Sequence, residues 1–438
     1  MRRIRSRAVA RGLIVAMAAP AHAAIPAEAP VDWPQFRFDD AHTGVDPFET
    51  TITPANAPQL APAWQAQLGD IVYASSPTVV HGVVYIGSID GTLWAYPANG
   101  CGKSLCTTPL WRSSNLAQIV DTPTVAGGRV YVGSQTSFDS AAGKLDVFDA
   151  NGCGKPVCTP LWQGRAGRES ILDSSPTVAG GVVFVGALDH RLYAFDANGC
   201  GAKRCEPLWT GMTGGSIEST PTVDGDSVLV GSDDGSLSAF PAAGCGRKRC
   251  DPTWVGRIGS AVFGSTPAVA EGRIYIGSQH SVAVFAAGGC GRKVCEPLWE
   301  DQYLGDRSFF GGSPAVWKGQ VFIGVESELA VFDARGCGQA ICAPLYFDFG
   351  AGAQAAIASS PTVADGVVFV GRNTAEVLAW RTKPCGRSQC DAIWRGATNE
   401  PIVNSSPTVV NGTVYIGSAD RSAPEGTSGR IYVFSLRG

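Results

Sequence analysis

Residues 174–209 read SSPTVAGGVVFVGALDHRLYAFDANGCGAKRCEPLW. Pro176-Thr177-Val178 makes a short first strand, and Gly180-Gly181 turns the chain. Val182–Val185 is a second strand of β-branched and aromatic residues, ended by Gly186. Leu188-Asp189-His190 turns the chain again, and Leu192-Tyr193-Ala194-Phe195 forms a third strand. A cysteine loop follows, and Leu208-Trp209 opens a fourth strand. Four short antiparallel strands in one unit describe a propeller blade.

The unit repeats along the chain. A phrase built on S-[ST]-P-[TA]-V places its prolines at 77, 123, 176, 221, 267, 314, 361 and 407, at intervals of 46, 53, 45, 46, 47, 47 and 46 residues. Eight copies at this period predict an eight-bladed β-propeller, since solenoid repeats are usually shorter. The last copy ends at its third strand, Arg430–Leu436. An orphan fourth strand, Ala61–Trp64, precedes the first copy, so the N-terminal strand is expected to close the ring. The fourth strands then carry one large ring each, Trp64, Trp111, Trp162, Trp209, Trp254, Trp299, Tyr346 and Trp394, which reads as packing between blades.

All fourteen cysteines fall in seven C-x4-C units: Cys101 with Cys106, Cys153 with Cys158, Cys200 with Cys205, Cys245 with Cys250, Cys290 with Cys295, Cys337 with Cys342, and Cys385 with Cys390. Zinc knuckles and redox motifs use C-x2-C, and no histidines accompany these pairs. Even pairing predicts seven hairpin disulfides pinning the outer blade edges, in an oxidising compartment. The N-terminus supports that compartment. Residues 1–23 carry five arginines, a short apolar run and Ala21-His22-Ala23, the pattern of a secretory signal peptide. The expected organisation is a signal peptide over 1–23, a lead-in over 24–58 and the propeller over 59–438.

The 438 residues include 55 glycines, with 16% charged residues and a formal net charge of −4. Loss of the basic leader makes the chain more acidic still, which argues against nucleic acid as a partner. No later segment is long and apolar enough to span a membrane.

SSPTVVHGVVYIGSIDGTLWAYPANG (75–100), with its following Trp, resembles the pyrroloquinoline-quinone-like (PQQ-like) propeller repeat and its tryptophan-docking motif. Asp32–Arg37, DWPQFR, with Thr43-Gly44, resembles the segment that often precedes such rings. The resemblance spans 32–438 and is specific for fold. For activity it implies two branches. One is PQQ- and calcium-dependent alcohol or sugar dehydrogenases; the other is non-catalytic scaffolds such as the barrel-assembly lipoprotein of outer membranes.

Strand alternation sorts the loops into two faces. The cysteine face is basic, with Lys103, Lys155, Lys203, Arg204, Arg247, Lys248, Arg249, Arg292, Lys293 and Arg387. Those side chains read either as a patch for an anionic surface or as solubilising loop tips. On the other face, the position three before each proline holds Ala74, Val120, Asp173, Glu218, Gly264, Gly311, Ala358 and Asn404. Asp121 stands one position later, where the other blades have Ser or Gly. Asp121, Asp173, Glu218, Asn404 and the turn residue Arg372 are the candidate ligand- or cation-binding residues at the channel mouth. Nearby turns add Asp189, His190, Asp233, Asp234, Glu326 and Asp420, while Phe263, Phe309 and Phe310 are stacking candidates. The carboxylates could serve calcium or a general base, or simply line a hydrated mouth.

The chain has no adjacent Cys-Cys pair and no C-x-x-C-H for haem, and only the interval around Thr136–Gly143 is extended. The expected function is therefore a secreted or cell-envelope binding or scaffold module, monomeric, for a protein, peptide or glycan. The alternative is a compact PQQ- and calcium-dependent dehydrogenase. Neither cofactor is firmly implied, and no catalytic residue is assigned.

Overall fold

A computed structural model of the chain describes residues 32–114, 116–135, 143–167, 169–301, 312–349, 356–386, 390–422 and 428–436. The predicted signal peptide, the extension at 136–142, Gly311, Phe309, Phe310 and Arg387 lie outside them. Eight antiparallel sheets form a ring, and the helical element among the described residues is a single 3₁₀ turn, Ala57–Gln59. Among the described residues no helix is long and apolar enough to cross a membrane.

In the blade of the opening stretch, Thr177–Ala179, Val182–Ala187, Arg191–Asp196 and Trp209–Met212 pair in sequence. The predicted closure is present. Leu60–Gln67 pairs antiparallel with Arg430–Leu436, so the eighth blade takes its outer strand from the other end of the chain. The seven fourth-strand tryptophans are buried, each between blades. Six of them lie against the glycine that precedes the first cysteine of the next blade, with φ between +74° and +80°. A Cβ on those glycines would come within 2.5–2.9 Å of the indole, so the contact requires glycine for space and for conformation.

The S-[ST]-P phrase makes a closed polar ring around the channel. The N–H of the residue before each proline donates to the equivalent hydroxyl of the next blade: Ser76 to Thr122, then Ser175, Thr220, Thr266, Ser313, Ser360, Ser406 and back to Ser76, at 2.9–3.2 Å. One residue earlier, a serine hydroxyl accepts the N–H of the glycine ending the second strand, as Ser174 does from Gly186.

A second belt runs from the Thr after each proline to the proline carbonyl of the next blade: Thr78 to Pro123, Thr124 to Pro176, Thr177 to Pro221, Thr222 to Pro267, Thr362 to Pro407 and Thr408 to Pro77. Blades five and six carry Ala268 and Ala315 at this position, which leaves the carbonyls of Pro314 and Pro361 without a threonine donor. The buried guanidinium of Arg37, in the lead-in, donates Nη2 to Pro314 and Nη1 to Pro361. The two exceptions to the repeat and the one lead-in arginine are thus parts of a single device.

The lead-in from residue 32 belongs to the ring. Carbonyls of Trp33, Pro34, Asp40, Ala41, Thr43 and Gly44 accept the N–H of Val79, Val125, Val223, Val269, Val316 and Val363 on the inner strands of blades one, two, four, five, six and seven. Val45–Asp46 then pairs parallel with Thr362–Ala364. His42, also buried, reaches Thr177 Oγ1 and the Pro221 carbonyl. The lead-in closes the channel from the cysteine-loop side.

All seven disulfides are formed, with Cα–Cα separations of 5.5–5.8 Å. The outer edge that a loop covers belongs to the preceding blade. Leu105–Cys106 adds a parallel strand to Leu60–Gln67, Val157–Cys158 to Trp111–Ser113, Arg204–Cys205 to Trp162–Ala166, Arg249–Cys250 to Trp209–Met212 and Val294–Cys295 to Trp254–Arg257. Each of these five loops covers the exposed outer edge of the preceding blade and ties two blades together. The loop of Cys337 and Cys342 follows the pattern less fully. In the loop of Cys337 and Cys342 the contact shrinks to a bridge between Ile341 and Glu300, in which the Cys342 N–H donates to the Glu300 carbonyl at 2.9 Å. In the loop of Cys385 and Cys390 the Cys385 N–H donates to Cys390 Sγ at 3.2 Å, and no fifth strand is formed among the described residues. Cys337 and Cys342, and Cys385 and Cys390, are disulfide partners as predicted.

Candidate functional site

The residue three before the proline takes a left-handed conformation in several blades, with φ of +60° at Ala74, +57° at Asp173, +65° at Gly264 and +60° at Asn404. Asp, Asn and Gly tolerate this region because their side chains are short and polar or absent. The side chains at these positions converge on the mouth opposite the cysteine loops. There they line a cavity of about 580 Å³ that includes Asp173, Glu218, Asn404, Tyr73, Phe263 and Arg421, together with Phe36 from the lead-in.

Of the sequence-predicted residues, Asp173, Glu218 and Asn404 are brought together here and Phe263 stands on the rim. Asp121 is not part of the lining. It occupies the serine position of its blade, and its Oδ2 accepts the Gly133 N–H as the serine hydroxyls do elsewhere. Arg372 also lies outside the cavity, buried and paired with Glu376 at 2.8 Å, which in turn meets Arg395 at 3.3 Å. Asp189 is held by Tyr193 and Arg191, Asp234 by Ser236, and Asp420 by Ser422.

Sequence reasoning missed Tyr73, Arg421 and Phe36. Tyr73 directly precedes the Ala74 mouth position and so was open to the same spacing argument, whereas Phe36 sits in the DWPQFR lead-in, outside the repeat. Arg421 lies in the eighth blade's second turn, where residue type gives no signal.

The two carboxyls in the cavity are electrostatically uncompensated. Burial pushes Asp173 up to about 7. Burial, then Asp173, then Asp233 push Glu218 up to about 8. Asp173 Oδ1 has no hydrogen-bond partner. The Arg421 guanidinium lies 4.9 Å over the Tyr73 ring. Burial and the two acids raise the Tyr73 hydroxyl, while Arg421 opposes them. Among the described residues no group of three or more His, Cys, Asp and Glu side chains is placed to hold a metal ion.

The basic face is partly spoken for by structure. Lys203, Lys248 and Lys293 donate to the carbonyls of Pro160, Pro207 and Pro252 of the preceding blade, at 3.1–3.4 Å. Arg165–Glu206 and Arg257–Glu296 pair at 3.8 and 3.5 Å, also between neighbouring blades.

An eight-bladed ring with tryptophan docking and a mouth cavity defines the class of PQQ-like propellers. The family model described as outer membrane protein assembly factor BamB matches residues 49–281, more than half of the chain, and the chain belongs to that family. Among solved structures, BamB from Moraxella catarrhalis superposes with a TM-score of 0.62 at 16% identity, covering 86% of this chain and 99% of that one. Quinohemoprotein alcohol dehydrogenase from Comamonas testosteroni gives 0.67 at 14% identity, covering 93% of this chain and 81% of that one. The computationally designed Ika8 protein gives 0.58 at 13% identity, over 85% and 99%. These likenesses concern the fold alone. The comparison with curated proteins finds no significant match.

Proposed function

We propose that this chain is an extracytoplasmic binding module, a monomeric ring that presents its mouth cavity to a protein, peptide or glycan of the envelope or exterior. The observation that carries the reading is the cavity itself, floored by the lead-in and lined by aromatic side chains and two uncompensated carboxyls. Such a concave site with a few convergent polar groups suits recognition. Seven disulfides suit an oxidising compartment.

The residues do not fit PQQ. That cofactor is a planar tricarboxylate, and Arg421 is the one full positive charge among the described lining residues. Asp173 and Glu218, protonated or ionised, offer it no positive charge, and no step is routed through it.

Calorimetric titration of the chelator-stripped protein with PQQ, with and without calcium, tests the reading together with a dye-linked assay on alcohols and sugars. No saturable heat and no turnover are expected. Tight calcium-dependent binding with turnover would replace the binding module with a compact quinoprotein.

A further inference from the structure

Resting on that reading, we propose that the cavity binds a primary ammonium group carried by a peptide or protein, held between Asp173 and Glu218. Asp173 lines the cavity, and its Oδ1 is buried without a hydrogen-bond partner. Glu218 stands at the same position of the next blade, in the loop entering the inner strand, and lines the same cavity. Neither forms an ion pair in the free molecule, and Arg421 is parked on Tyr73 across the cavity. Buried carboxyls in this state hold protons because two uncompensated charges are costly to bury. An ammonium entering between them offsets one such charge, so one acid gives up its proton to solvent as it ionises and the other stays protonated.

The walls suit an alkylammonium better than a metal ion. Calcium takes six to eight oxygen ligands, whereas the lining holds two carboxylates, the Asn404 and Asn373 amides, and the Ser175, Ser359 and Ser360 hydroxyls, which already accept backbone N–H groups. An ammonium needs about three acceptors, which Asp173, Glu218 and Asn404 supply. Phe36, Tyr73 and Phe263 give the methylene stem an apolar and π-rich wall. The charged groups around the pair are Tyr73 and Arg421 across the cavity, Asp121 behind Asp173, and Asp233, itself near His190, behind Glu218.

The test is calorimetry of the full, disulfide-intact protein with three probes. Nα-acetyl-lysine N-methylamide carries a side-chain ammonium, glycylglycinamide a chain N-terminus, and Nα,Nε-diacetyl-lysine N-methylamide no charge. Saturable binding of one charged probe is expected, at least tenfold tighter at pH 7.5 than at pH 5.5, a range in which both amines stay largely protonated. Titration in two buffers of different ionisation enthalpy should register proton release near neutral pH. The uncharged probe should not bind, and Asp173→Asn or Glu218→Gln should weaken the charged probe at least tenfold at pH 7.5. Which charged probe binds identifies the source of the ammonium. Absence of saturation by both charged probes overturns the proposal, as does equal binding of the uncharged one. Calcium binding that blocks the amine also overturns it, in favour of a metal site. The wild-type comparison of charged and uncharged probes decides the matter even if a variant fails to fold. Its failure leaves the binding module standing, because that reading falls only to PQQ-dependent turnover.

Discussion

Arg37 shows how much one side chain can carry. Its guanidinium takes the two proline carbonyls that Ala268 and Ala315 cannot reach, and it does so fully buried. Leaving two buried acceptors unpaired costs about 1–3 kcal/mol each. Arg37→Ala is therefore expected to lower Tm by several degrees, measured by thermal unfolding followed by circular dichroism. Adding Ala268→Thr and Ala315→Thr should recover part of the loss, since threonine serves six other blades in this way. No recovery would mean that the arginine acts mainly by filling the channel.

Asp348 gives the pH dependence at the same scale. It is buried, neither carboxyl oxygen is hydrogen-bonded, and burial pushes it up to about 7. A carboxyl raised above its unfolded value of about 3.9 binds more protons when folded. Its favourable contribution is full below about pH 4 and is lost as pH rises through about 7. Asp348→Asn should thus raise Tm by about 2 °C at pH 8.5 relative to wild type, with a smaller gain at pH 5. Equal shifts at both pH values would show that the carboxyl does not titrate in this range.

The element that decides ring stability is the cysteine hairpin with the glycine in front of it. Gly244 has φ +77° and would place a Cβ 2.6 Å from the Trp209 indole. Gly244→Ala is expected to cost about 2 kcal/mol or more, from the left-handed backbone and the forced shift of the indole. Chemical denaturation, read through tryptophan fluorescence, measures it. Replacing Cys200 and Cys205 together by serine should cost about 2 kcal/mol by the chain-entropy estimate for so short a loop. Because the loop is also the fifth strand of the preceding blade, faster hydrogen exchange should appear over Trp162–Ala166, in that blade. Exchange that rises only within the loop would show that the hairpin staples itself alone.

On the scale of the whole molecule, closure rests on the chain ends. Leu60–Gln67 supplies the outer strand of the eighth blade and receives the Leu105–Cys106 hairpin of the first. A chain lacking residues 1–67 should lose cooperative unfolding and show an early transition in the eighth blade. A single sharp transition near the wild-type Tm would show that the polar ring at the channel suffices. That ring also closes between the first and last blades, through Ser406 and Ser76.

The repeat was legible in the sequence because it is enforced locally. Strand, turn and hairpin each need particular residue types at fixed offsets, so eight copies of [ST]-P-[TA]-V, seven C-x4-C units and eight aromatics announce blades, staples and docking without reference to the rest of the chain. The converging mouth acids were legible for the same reason, as one position of a repeat.

The tertiary structure alone decided what the exceptions mean. Asp121 stands in a serine's place, and only the ring shows its carboxylate serving a backbone N–H rather than the cavity. Ala268 and Ala315 look like neutral drift until Arg37, more than two hundred positions away in the chain, is found filling the bonds they leave open. Phe36, Tyr73 and Arg421 meet Asp173 and Glu218 only because ring closure and the lead-in bring distant segments to one mouth. Periodicity records what each blade needs by itself. Contacts across the channel join residues with no fixed spacing, and no local pattern encodes them.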